Sequence, residues 1–136
     1  MLVIDSSITV AWLVPDERSA ETQRTLDRVI ENGAVVPIHW RLEVGNALLM
    51  ALRRRRLSVH QRNEALDLLL SLQLTTDDDT IERAWIVTLD IAERFQLTLY
   101  DACYLELAKR RRLPLATLDR ELRDAAQQIG VELAGP

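Results

Sequence analysis

Short apolar runs that keep giving way to helical periodicity constrain this chain most. Leu2-Val3-Ile4 suits a strand buried on both faces. Ser6 to Val14 follows as a short helix stopped at Pro15. Ser19 is placed to cap a second helix through Glu31, closed by Asn32-Gly33. Ala34-Val35-Val36 is the next strand. It leads to a long helix from about His39 to Arg55, in which Val44, Ala47, Leu48, Ala51 and Leu52 keep the helical period. Ser58 with Gln61 is a capping-box pair for a helix through about Leu72. Leu72 to Thr76 marks a short strand. Asp77-Asp78-Asp79 then opens a helix carrying Ile81, Ala84, Trp85, Thr88, Ala92 and Phe95. Thr98 starts one more, to about Arg112. Leu115 to Leu118 is a strand, Asp119 to Ile129 a helix before Gly130, and Val131-Glu132-Leu133 a last strand. Such alternation asks for an α/β fold in three layers: a parallel sheet of four to five strands flanked by helices. No repeat or linker interrupts it, so residues 1–136 are expected to form a single domain.

Composition narrows the function. Hydrophobic residues are 48% and charged residues 28%, which favours folding over disorder. Aromatics are only 4%, too few for the base-stacking sheets of common RNA-binding modules. The net charge of -4 excludes a general basic coat. The lone Cys103, beside Ala102, Tyr104 and Leu105, reads as a small buried residue. The apolar start breaks at Asp5, and no run approaches the ~20 residues of a membrane span. A cytoplasmic protein is expected. Phosphate-cradling and dinucleotide-binding glycine motifs are absent, as are Cys/His clusters for zinc.

Four acids remain. Each has a local explanation: Asp5 and Asp119 as helix caps, Asp101 at capping-box distance from Thr98, and Glu43 as a partner for His39 one turn earlier. Together they point elsewhere. Parallel sheets bind ligands beyond the carboxyl ends of their strands. Asp5 and Asp119 fall on that rim, and Asp101 in a helix first turn can face the same crevice. Gathered carboxylates stay ionised only around a cation. Oxygen donors suit Mg²⁺ or Mn²⁺ and not zinc, which leads to phosphate-ester chemistry.

Four stretches carry a family resemblance: Val3-Ile4-Asp5-Ser6-Ser7, Leu42-Glu43-Val44-Gly45-Asn46-Ala47-Leu48, Leu99-Tyr100-Asp101-Ala102 with Tyr104-Leu105-Glu106-Leu107-Ala108, and Ala116-Thr117-Leu118-Asp119. In this order the chain resembles the PIN-domain ribonucleases, and among them the VapC-type toxins of toxin–antitoxin pairs. The resemblance implies a PIN-like fold and hydrolysis of RNA with one or two Mg²⁺ or Mn²⁺ ions. It makes Asp5, Glu43, Asp101 and Asp119 the acidic quartet. Asp5 and Asp101 are the firmest metal ligands, while Asp119 and Glu43 act directly or through water. Ser6 and Thr117 become supporting hydroxyls. It also implies a VapB-type antitoxin and a homodimer. For the Leu-rich stretch Leu66 to Leu74, interface and core both stay open, with core favoured.

The basic helix ends Arg53 to Arg56 and Lys109 to Arg112 have three readings: solvated caps, an RNA-tracking surface or an antitoxin seat. Arg53, Arg54, Arg111 and Arg112 are the contact candidates. A receiver-like phosphoacceptor fits poorly, because no acidic pair ends the first strand and Lys109 is the only lysine. A housekeeping PIN-type RNA-processing nuclease and a non-catalytic PIN-like binding module both remain open.

Overall fold

The structure is a computed structural model and describes residues 1–135. Four strands, β1 (Leu2–Ile4), β2 (Ala34–Val36), β3 (Leu74–Thr76) and β4 (Leu115–Ala116), pair in parallel in the order β3-β2-β1-β4. Val3 lies in register with Val35 on one side and Leu115 on the other. Every residue of β1 and β2 is buried. Successive strand residues point to opposite faces, so both faces of the sheet are covered. The cover comes from α1 (Ser6–Leu13), α2 (Ala20–Asn32), α3 (Trp40–Arg53), α4 (Val59–Ser71), α5 (Thr80–Arg83), α6 (Leu89–Phe95), α7 (Leu99–Arg111) and α8 (Arg120–Ile129). Among the described residues no helix is long and apolar enough to cross a membrane.

Local chemistry explains the boundaries. Ser19 forms a capping box with Thr22, and Ser58 forms one with Gln61. Gly33 ends α2 at φ +77°, and a Cβ there would lie 2.9 Å from the Gln73 carbonyl oxygen. That same carbonyl accepts the Ala34 amide at 3.0 Å, so β2 and β3 meet where only glycine fits. The expected strand Leu115–Leu118 stops at Ala116, because Thr117 turns its hydroxyl to Asp5. The expected last strand contracts to one bridge between Leu133 and Leu115.

The helix expected after Asp79 is broken in phase. Ala84–Thr88 form a π-helical turn between α5 and α6. Its wider turn rotates the faces on either side. Thr80, Thr88, Ile91 and Ala92 are buried, whereas Trp85, expected in the apolar stripe, is 86% exposed. The stretch Leu66 to Leu74 divides as well. Leu68, Leu69, Leu72 and Leu74 pack against the core, and Leu66 and Leu70 face outward.

Beyond β3 the fold buries charge. The fully covered Asp77 carboxylate accepts from Arg110 at 2.7 and 3.1 Å, Arg111 at 3.1 Å and Thr80 at 2.9 Å. Arg110 also donates to Glu106 at 2.8 Å. Burial raises the Asp77 pKa, but the bonds from Arg110, Thr80 and Arg111 outweigh it, and the net direction is down. The network ties the C-terminal turn of α7 to the end of β3. Arg110→Ala leaves the covered Glu106 without its cation and Asp77 with Arg111 and Thr80 alone, and should cost about 3 kcal/mol in urea unfolding at neutral pH. A carboxyl whose pKa is lowered in the folded state gives stability that is lost as the pH falls through that value. The deficit of the variant should therefore shrink in acid.

Candidate active site

Asp5 is the first residue beyond β1 and the N-cap of α1, where its Oδ1 accepts the Ile8 amide at 3.0 Å. Ser7 donates to the same oxygen at 2.7 Å, and the Thr117 hydroxyl donates to Oδ2. The loop after β4 closes on the same point: Leu118 donates its amide to Ser7 Oγ at 2.9 Å, and Asp119 donates to Thr117 Oγ1 at 3.0 Å. Asp119 then caps α8 through the Leu122 amide at 3.0 Å. Thr9 donates to the Asp5 carbonyl at 2.7 Å and accepts from Trp40 Nε1 at 3.1 Å, which joins α3 to the rim.

Asp101, partly buried, lies in the first turn of α7, which Thr98 caps through the Asp101 amide at 3.1 Å. Glu43 reaches the crevice from α3. The Tyr104 hydroxyl donates to its Oε1, and His39 Nε2 stands 3.5 Å from that oxygen. His39 Nε2 is also 3.0 Å from the Tyr100 carbonyl, a group that only accepts, so this nitrogen carries a proton.

The charges of the four acids reach one another. Burial pushes Asp5 up to about 6 against the bonds from Thr117, Ile8 and Ser7, and the Asp101 charge adds to the rise. Asp101 is raised by burial and then by the charges of Asp119 and Glu43. Burial and the bond to Glu43 raise Tyr104. Among the described residues, no Lys or Arg reaches ion-pair distance of Asp5, Asp101, Asp119 or Glu43.

The helix caps foreseen for Asp5 and Asp119 are therefore real, and they coexist with the gathering of charge. Among the described residues no three His, Cys, Asp or Glu side chains form a group able to hold an ion by themselves. A dry cage does not fit. A hard cation that keeps several waters and takes one or two carboxylates does, since the donors are oxygens and lack countercharge.

The hydroxyl that the first turn of α1 gives to Asp5 belongs to Ser7, next to the expected Ser6. Tyr104 was unforeseen, although its place three residues after Asp101 puts both on neighbouring positions of one helix face. Cys103 is buried, and its thiol is pushed up to about 11 chiefly by that burial, so it stays protonated at neutral pH. Of the basic candidates, Arg53, Arg54 and Arg112 are exposed and have no ion-pair partner among the described residues. Arg111 is held by Asp77.

A four-stranded parallel α/β fold with an acidic crevice at the strand ends defines a class of rim-site proteins. Residues 2–128 match the PIN domain, and the chain belongs to that family. It is 29% identical over 127 residues to Ribonuclease VapC3 of Pyrobaculum aerophilum, covering 90% of this chain and 92% of the relative. The crystal structure of PAE2754 from Pyrobaculum aerophilum superposes with a TM-score of 0.66 at 26% identity, covering 91% of this chain and 78% of that one. A structure described as a toxin–antitoxin complex from Klebsiella pneumoniae shares the fold, with a TM-score of 0.58 at 17% identity over 88% of this chain and 87% of that one.

Asp5 carries a measurable signature of its burial. A carboxyl raised from 3.8 to about 6 gives stability that is full below its unfolded pKa and lost as the pH rises through the folded one. Without divalent cations, Asp5→Asn should therefore melt above the wild type at pH 7.5, and the two should converge near pH 4. A constant difference across that range would contradict the burial of a charged Asp5.

Proposed function

We propose that the chain is a Mg²⁺- or Mn²⁺-dependent endoribonuclease of VapC type, acting in the cytoplasm as the toxin of a toxin–antitoxin pair. The observation that carries this is a set of acids without countercharge at the carboxyl rim of a PIN-family sheet. The match to a protein named Ribonuclease VapC3, along most of both chains, supports it.

Asp5 and Asp101 would hold the ion, with Asp119 and Glu43 acting through water. A bound divalent ion lowers the pKa of water and draws charge from a phosphate oxygen. The chain supplies the rest. Asp5 is already fixed by three bonds, which set the orientation of its carboxylate at the rim. The described contacts of Glu43 fall on Oε1, which leaves Oε2 to orient or deprotonate the attacking water. The water then attacks the scissile phosphorus in line, and the bond to the leaving oxygen breaks.

The partners in this proposal are RNA, a VapB-like antitoxin and a second copy of the chain. A groove of about 310 Å³ between α3 and α4, lined by Trp40, Val44, Leu48, Leu66 and Leu70, offers an apolar seat for the antitoxin. The exposed Ile81, Trp85 and Ile86 offer one for the second copy.

The test is to express the chain with and without its antitoxin and map RNA ends. Wild type alone should produce discrete new ends. Asp5→Asn and Asp101→Asn should lower cleavage at least about a hundredfold, the loss seen even for outer partners of metal ligands, while remaining folded. Chelation should abolish cutting, and Mg²⁺ or Mn²⁺ should restore it. Uncut RNA under all conditions would defeat the proposal. For the exposed Arg54, removing one phosphate contact from single-stranded RNA should flatten the slope of log K against log salt by about 0.7. An unchanged slope in Arg54→Gln would assign that residue to helix capping alone.

A further inference from the structure

Three of the four acids are immediately preceded by an exposed large apolar residue. Leu42 stands before Glu43 at 76% exposure, Tyr100 before Asp101 at 63%, and Leu118 before Asp119 at 45%. Consecutive helix residues point in different directions, so adjacency in the chain does not by itself set these groups over the acids, and it is Tyr100 whose contacts tie it to the crevice. An inorganic phosphate would gain nothing from that ring. A nucleotide has both an anionic group and a flat, largely apolar base.

Tyr100 is the aromatic member of this rim, and its setting is defined. Its carbonyl accepts from His39 Nε2 at 3.0 Å, and its ring lies 5.8 Å from the His39 ring at a tilt of 55°. His39 packs edge-on against Tyr104, with ring centroids 5.3 Å apart, and lies 3.5 Å from Glu43. The imidazole is thereby held from several sides, and it backs a phenol ring that otherwise faces solvent. Tyr100 adjoins Asp101 in the chain and is one side chain away from Glu43. A strand with a phosphate over these acids leaves a neighbouring base within reach of the ring.

We infer that Tyr100, buttressed by His39, is a stacking face for the nucleobase beside the scissile phosphate, and thus a binding residue that sets sequence preference. This rests on the nuclease activity proposed above. Stacking on an aromatic ring tolerates any base but favours the larger ones, so the preference would be graded. A contact to the antitoxin, reaching the rim from its proposed seat between α3 and α4, is the competing reading for this ring.

The test uses the RNA fragment whose ends are mapped as above, intact and with an abasic residue on either side of the cut. Tyr100→Ala should lose roughly tenfold in kcat/KM on the intact strand, mainly through KM, while Tyr100→Phe stays within about twofold. The abasic change on one side of the cut should cost the wild type a similar factor and cost Tyr100→Ala little more, as coupled groups do in a mutant cycle. Equal losses for Tyr100→Ala on intact and abasic strands would show a structural role and overturn the inference. So would undiminished cutting, a Tyr100→Phe variant as weak as Tyr100→Ala, or a loss confined to antitoxin binding. A wild type that cuts no RNA with either metal defeats the nuclease itself, whereas these other results defeat only the stacking face.

Discussion

The bond from Thr117 to Asp5 is the contact on which the rim depends. It joins the ends of β1 and β4, strands of only three and two residues, at the point where their ladder stops. Around it Ser7, Leu118 and Asp119 close a small ring of hydrogen bonds. That ring places one acid at the start of α1 and another at the start of α8. The two caps aim both helices away from the crevice and leave the carboxylates beside it. A cap that any helix would accept is here also a way of holding charge near charge.

The molecule contains its own contrast. Asp77 follows β3 much as Asp5 follows β1, and both carboxylates are buried. Asp77 meets Arg110 and Arg111, and its pKa falls. Asp5 meets hydroxyls, an amide and another acid, and its pKa rises. Of seventeen Lys and Arg residues, none among those described forms an ion pair with Asp5, Asp101, Asp119 or Glu43, and Arg123, which comes nearest in the bonds of this loop, donates to the Thr117 carbonyl at 3.1 Å. The asymmetry supports the cation proposed for the Asp5 crevice, whereas the Asp77 cluster has its own arginines and serves structure.

Much of this was legible in the residues. Buried parallel strands show as unbroken apolar runs, Ser19 reads as a helix cap by its type, and the pair Ser58/Gln61 announces a helix start by its spacing. The strand-end rule drew Asp5 and Asp119 to one rim before any coordinates. Other features had no local signature. The π-helical turn at Ala84–Thr88 changes the facing of its neighbours without any proline or glycine to announce it. Two adjacent serines differ only in helix phase, so Ser7 could not be told from Ser6. The pairing of Arg110 with Asp77 spans 33 residues and arises from the packing of α7, which no short window contains. Arg111 looked free for RNA for the same reason.

Helix α7 joins two unlike regions. Asp101 stands at its first turn, Tyr104 a turn further, and Glu106 and Arg110 toward its far end. Over thirteen residues, about 20 Å, one rigid rod spans from the open crevice to the sealed charge cluster. Its amide protons are therefore a natural gauge. Whatever quiets motion at the mouth will slow exchange along the rod, and whatever loosens the buried arginine will be felt back at the mouth.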